Sequence, residues 1–229
     1  MFKQYEFHLL DYKNAILYDK RTFCENYIFL LKRKNLILFP FCPSKDYNSK
    51  IIKLCIFSLS FSIYYATNFA FFNDETLHQI YEVGGKYDIL YFLPKIAISF
   101  AISYIISSLI KFIFLSERNI FAIKMQQILS QAYSISDKEK RNMIIKYTIF
   151  FIAGIIFLGF FWFILSSFGA VYQNTQIFIF KNALICYAIS LCYPLFSNIF
   201  PFFFRISALN SKEKNSECMF KLSKFLEIF

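Results

Sequence analysis

The side chains able to do chemistry are few, and their spacing keeps most of them apart. His8 and His78 stand on either side of an uncharged apolar run, Leu54 to Phe72, long enough to cross a membrane. They therefore fall on opposite faces, and no histidine pair can hold a metal or activate a nucleophile. The six cysteines include no C-x-x-C pair. There is no Gly-rich phosphate loop, no G-x-S-x-G and no H-E-x-x-H. No catalytic, cofactor-binding or metal site is expected, and the chain reads as a protein that is not an enzyme.

Three groups of residues could still bind or gate. On a helix, Asp74, His78 and Glu82 recur at every fourth position with Glu75 beside them, one face that could hold a cation loosely or line a pore mouth. A solvated helix start capped by Asn73 or Asp74 explains the same residues more simply. Lys32, Arg33 and Lys34 form a basic cluster suited to anionic lipid, each cation contributing roughly 1 kcal/mol near a membrane surface. The ordinary basic flank of a membrane span is the plainer account of that cluster. Pro194 and Pro201 lie inside an apolar run, where they would kink a helix and free carbonyls that a neighbour must satisfy. Asn68, Lys95, Ser107 and Ser108 are the other polar residues in apolar stretches, and Lys95 and Lys111 stand near span ends where a long stem can snorkel.

The elements that position these residues are membrane helices. The chain is 57% hydrophobic and 17% charged, which excludes an ordinary soluble domain. Phe, Ile, Lys, Asn and Tyr, all encoded by A/T-rich codons, make up 116 of the 229 residues, so the aromatic content by itself signals no function. Four spans are expected at about 54–72, 91–115, 147–172 and 182–204. The net charge of +10 reads as orientation rather than nucleic-acid affinity, because the cations flank the spans and no nucleic-acid module is present. Ten Lys and Arg precede the first span, seven lie from Lys111 to Lys146, and five follow the fourth span, 22 on one side against three on the other. Both termini are then cytosolic.

The expected architecture is all-α and integral to a membrane: a cytosolic basic lead over residues 1–50, a four-helix transmembrane module over 51–205 and a cytosolic tail over 206–229. Asn14 to Lys34 mixes apolar and basic residues as an interfacial amphipathic helix would, and Lys32 to Asn35 would also permit a short hairpin. Between spans 2 and 3, Phe121, Met125, Ile128, Leu129 and Ala132 recur at helical spacing, and Ser136-Asp137-Lys138-Glu139 has the form of a capping box. Together these predict a cytosolic helical hairpin: a stalk continuing span 2, a tight turn near Tyr133 to Ile135, and a new helix running into span 3.

Several stretches carry a resemblance. Asp46-Tyr47-Asn48-Ser49, Phe71 to Thr76, Ile80-Tyr81-Glu82, Leu93-Pro94, Leu115-Ser116-Glu117, Phe161-Trp162, Val171 to Gln176, Ser190 to Pro194 and Pro201 to Arg205 together resemble a multi-pass membrane region at the C-terminal end of large surface proteins of protists. The likeness runs from about Tyr18 to Leu209. It implies a large extracellular portion upstream and no particular chemistry. The order of spans and loops is more distantly similar to the membrane region of polycystin-like receptors and channels.

The expected function is that of a multi-pass anchor or assembly module without catalytic activity, most readily in the plasma membrane. Its partners would be the lipid bilayer, anionic lipids on the cytosolic side and other membrane protein subunits, but no nucleic acid. A component of an ion channel or transporter is the alternative, and an organelle-encoded respiratory-complex subunit is a third, suggested by the codon bias.

Overall fold

A computed structural model describes residues 3, 5–42, 46–71, 74–82, 89–125, 129–171, 175–210 and 216–227, and among these the chain is helical with no strand. After a short 3-10 turn at Phe7–Leu9 the helices are α1 (Tyr12–Tyr18), α2 (Phe23–Lys34), α3 (Leu38–Phe41), α4 (Lys50–Ala70), α5 (Asp74–Glu82), α6 (Ile89–Phe114), α7 (Glu117–Lys124), α8 (Leu129–Val171), α9 (Thr175–Ser197), α10 (Ile199–Asn210) and α11 (Ser216–Leu226). Four stretches are long and apolar enough to cross a membrane: Lys50–Ala70, Phe92–Lys124, Tyr133–Val171 and Gln176–Asn210.

Helices α4, α6 and α9 pack closely with one another. Small side chains let α4 and α6 approach, since Ser99, Ser103 and Ser107 recur every fourth residue on α6 and are almost completely buried. Thr67 of α4 shares a hydrogen bond with Ser103, so a polar contact adds to the van der Waals packing that holds helices together where lipid is the solvent. Around them Tyr64, Phe92, Ile96, Phe178, Ile179 and Tyr187 form one core, with Phe92 edge-on to Phe178 at 4.8 Å. A second core joins Ile52, Ile56, Leu59 and Ile63 to Phe150 of α8.

Local sequence explains several helix starts. Thr22 accepts from Glu25 N at 3.4 Å while Glu25 accepts from Thr22 N at 2.9 Å, a complete capping box that opens α2. Ser49 caps α4, accepting from Ile51 N. Asn35 ends α2 and starts the next turn, its Oδ1 accepting from Ile37 N and Leu38 N at 3.0 Å each. The stretch from Asn14 to Lys34 therefore falls in two helices, α1 and α2, separated by irregular chain from Asp19 to Thr22, and a turn at Asn35 to Ile37 separates α2 from α3.

The apolar run near the C-terminus is interrupted once. Helix α9 ends at Ser197, three residues past Pro194, and α10 begins at Ile199 with Pro201 buried in its first turn. The lead segment supplies donors to this region: Tyr27 Oη donates to Leu195 O at 2.7 Å and Asn35 Nδ2 to Leu191 O at 2.9 Å. Carbonyls near the interruption thus find partners within the protein.

The helical hairpin between the second and third apolar stretches departs from expectation in its turn. Helix α8 is continuous from Leu129, so Tyr133 to Ile135 lie inside a helix and Ser136 does not cap one. The S-x-x-E spacing is equally compatible with a helix interior once upstream residues hold helical geometry. Glu139 accepts from Asn119 Nδ2 of α7 at 2.6 Å instead, and so ties the two arms of the hairpin together. Its stalk is also a separate element, because the helix breaks at Leu115 and Ser116 before α7 begins. Residues 126–128, including Ile128, lie outside the described residues.

Candidate functional site

The acidic segment forms the helix α5 as read, and Glu75, His78 and Glu82 are exposed on it. His78 Nε2 lies 3.2 Å from Glu82, a surface pair at helical spacing. The side chain of Asp74 and residue Asn73 lie outside the described residues, so the pore-mouth face is placed only in part.

The three cations of the basic cluster differ in their surroundings. Lys32 is exposed, but Arg33 Nη2 pairs with Glu117 at 3.0 Å and Lys34 Nζ donates to Leu226 O at 2.9 Å. Two of the three cations therefore have partners within the protein. Lys111, expected to snorkel, turns inward as well: its Nζ donates to Lys34 O at 3.0 Å and lies 4.9 Å from the Phe39 ring centre.

These contacts belong to a polar layer at one end of the helices. Arg205 is its most buried cation, 1% exposed. Its Nη2 donates to Asp19 at 2.8 Å and to Phe7 O at 2.7 Å, and its Nη1 to Glu227 at 3.1 Å. Arg21 grips the same Asp19 with two bonds of 2.8 Å. Burial works to raise the Asp19 carboxyl, but Arg21 and Arg205 outweigh it and hold the pKa below the ordinary value. Glu117 is a second hub, accepting from Asn48 Nδ2 at 2.8 Å, from Arg33 and from His8 Nε2 at 3.2 Å. Glu6 is a third, held by Tyr47 and by Lys124 at 2.6 Å. Burial pushes the His8 pKa down to about 4, with Arg33 in the same direction and Glu117 opposing both. His8 is thus neutral near pH 7, and the carboxylate beside Nε2 requires the proton there. That leaves Nδ1 as a buried acceptor with no hydrogen-bond partner.

A cavity of about 470 Å³ opens among these groups. Its charged end carries Arg33, Lys34, Lys111, Arg118 and Lys224 against Glu117 and Glu227, and its inner end is lined by Tyr64, Tyr104, Ser107 and Ser108. Phe112, Leu115 and Phe121 complete the wall. No group of three His, Cys, Asp or Glu among the described residues could hold a metal ion. Arg33 and Glu117 lie 84 positions apart in the chain, and Arg205 and Asp19 lie 186 apart, so no local pattern announces these pairs. The one available signal was the occurrence of carboxylates at Asp19 and Glu117 beside otherwise basic stretches. No protein-family model, curated protein or solved structure matches the chain.

Proposed function

We propose that the chain is a multi-pass membrane protein that anchors or assembles with other membrane subunits and performs no catalysis itself. The observation that carries this reading is α8: only 11% of its apolar window is buried within the protein. Ile152, Ile155, Ile156, Phe160 and Phe163 all stand exposed on it. An added Cβ at Gly154 or Gly159 would meet nothing within 4 Å, so a partner helix could approach the α8 backbone at either position. Arg205 joins the lead to the C-terminal segment, which supports an even number of crossings with both termini on one face. The 22 to three distribution of Lys and Arg supports assigning that face to the cytosol. Anionic lipid on that face, a plasma-membrane setting and kinship with the membrane region of protist surface proteins belong to the same proposal. Cross-linking followed by purification in mild detergent from the native membrane tests it: recovery of a defined hetero-complex supports the assembly role, and a lone chain argues against it.

A channel or transporter component is the second reading, favoured by a run of buried neutral polar groups in the helix core: Ser60, Asn68, Ser99, Ser103, Asn182 and Ser190. Replacing Asp74, Glu75 and Glu82 by their amides alters conductance in reconstituted bilayers on this reading. An unchanged conductance removes the acidic helix from any permeation path.

A further inference from the structure

The cavity in the polar layer has more positive charge than the protein itself neutralises. Of its five cations only Arg33 has a carboxylate partner, Glu117. Among the described residues Lys34, Lys111, Arg118 and Lys224 form no ion pair. Lys34 and Lys111 bond neutral carbonyls, Arg118 lies 4.5 Å from the Phe112 ring centre, and Lys224 lies 5.4 Å from that of Phe220. Glu227 acts on Lys34, Arg118 and Lys224 from a distance, Glu117 on Arg118 and Asp11 on Lys224, but Arg205 already holds Glu227 at 3.1 Å and Arg33 holds Glu117 at 3.0 Å. Burial lowers the Lys34 pKa to about 8, Glu227 opposing and Arg33 adding to the shift. Gathering cations in this way is costly unless an anion joins them.

Buried polar atoms without partners also lie on the cavity wall, Ser107 Oγ and His8 Nδ1 among them. Ser107 Oγ, on a residue 3% exposed, and His8 Nδ1, on a residue 6% exposed, have no hydrogen-bond partner. A buried polar group left unpaired is destabilising, so their presence on the wall favours a hydroxyl-bearing occupant. With Nε2 protonated toward Glu117, His8 Nδ1 accepts from such a hydroxyl, and Ser107 can either give or accept. The volume falls within the range of small-molecule sites. The wall also leads outward to lipid: Phe112 lines the cavity, and Ile105, Leu109 and Phe112 continue along one exposed face of α6 where an acyl chain can lie.

We propose that this cavity binds a phosphate-bearing polyol, with the phosphate among Lys34, Lys111, Arg118 and Lys224 and a polyol hydroxyl at Ser107 and His8. The exposed apolar face beside it favours a phosphorylated lipid headgroup over the free compound. The site is separate from the α8 surface and stands whether or not the chain assembles with a partner.

The test uses the full chain in phosphatidylcholine nanodiscs, titrated with short-chain phosphatidylinositol monophosphate, and in a parallel arm with soluble inositol phosphate. Saturable binding of either over the phosphatidylcholine background is expected; preference for the lipid identifies a headgroup site and equal affinity a soluble-metabolite site. Combining Lys34→Gln with Lys111→Gln weakens binding at least about tenfold, the loss expected for charge-assisted hydrogen bonds. Removing three exposed cations of α8, by Lys138→Gln, Lys140→Gln and Arg141→Gln, changes it less than about twofold. Ser107→Val keeps every charge, blocks the polyol contact and weakens binding several-fold, which covers the case in which the lysine pair fails to fold. Absence of saturable binding, or equal losses from the cavity and α8 variants, overturns the proposal.

Discussion

Replacing Arg205 by methionine keeps the approximate length of the side chain and removes the charge that joins the two ends of the chain. The guanidinium is 1% exposed and makes bonds of 2.8 Å to Asp19, 3.1 Å to Glu227 and 2.7 Å to Phe7 O. Breaking a buried ion pair by deleting one partner costs about 3–5 kcal/mol, much of it from the charge left behind. Asp19 keeps both of its bonds to Arg21, whereas Glu227, with a side chain 6% exposed, loses Arg205. The loss therefore lies near the lower bound, about 3 kcal/mol, divided between docking of the lead and docking of α11. In amide hydrogen exchange an even split of about 1.5 kcal/mol each corresponds to roughly tenfold faster opening of α1 and of α11, with α4 and α6 unchanged. Adding Glu227→Gln to Arg205→Met restores part of the protection, because a neutral amide is cheaper to bury than an unpaired carboxylate. Exchange in α1 and α11 that rises less than about fivefold in Arg205→Met would refute the clamp.

Acid weakens the docking of the lead through His8. Its pKa falls from 6.5 when free to about 4 when docked, so the unfolded segment binds the extra proton and stability falls as pH drops from about 6.5 toward 4. Each pH unit inside that window costs up to about 1.4 kcal/mol, with Arg33, Glu117 and Glu227 the charges that act on the ring; exchange measured against pH checks this, and His8→Gln flattens the profile. Thr22→Ala destabilises α2 by about 1 kcal/mol, whereas Ser136→Ala leaves α8 within about 0.5 kcal/mol, and exchange of the first-turn amides separates the two. Gly159→Leu leaves the chain folded and its melting temperature unchanged or slightly raised, because the new side chain meets open space and helix propensity improves by about 1 kcal/mol. The same substitution abolishes co-purification of a partner that packs on α8, and an intact complex would move the docking surface elsewhere.

The apolar helices were legible because a stretch of residues without charge has few fates other than a membrane or a core. Of the run read from Tyr147 to Tyr172, residues 147–171 fall within α8, and of the run from Leu54 to Phe72, residues 54–70 fall within α4. Pairings between distant residues were not legible. Lys32 to Lys34 look alike in one dimension, and only Glu117 and Leu226, brought up by other helices, distinguish Arg33 and Lys34 from exposed Lys32. Two identical local patterns diverged for the same reason. Thr22-x-x-Glu25 follows a turn and opens a helix, while Ser136-x-x-Glu139 sits downstream of residues already helical, so its backbone donors are occupied. The first was there to be read and the second was read in its place. The pairing of Arg205 is hidden in the same way, since nothing nearby in the chain reveals that Asp19 and Glu227 converge on it.

Helix α8 has mechanical as well as chemical consequences. At 43 residues it is about 64 Å long, roughly twice the hydrocarbon thickness of a bilayer. The contact between Asn119 and Glu139 props it partway along its polar portion, and the ten residues from Leu129 to Lys138 extend beyond that brace by about 15 Å. No proline interrupts it. It is therefore a boom mounted on a fulcrum: a tilt of the membrane-embedded portion displaces the tip, and a load on the tip reaches the bilayer as torque.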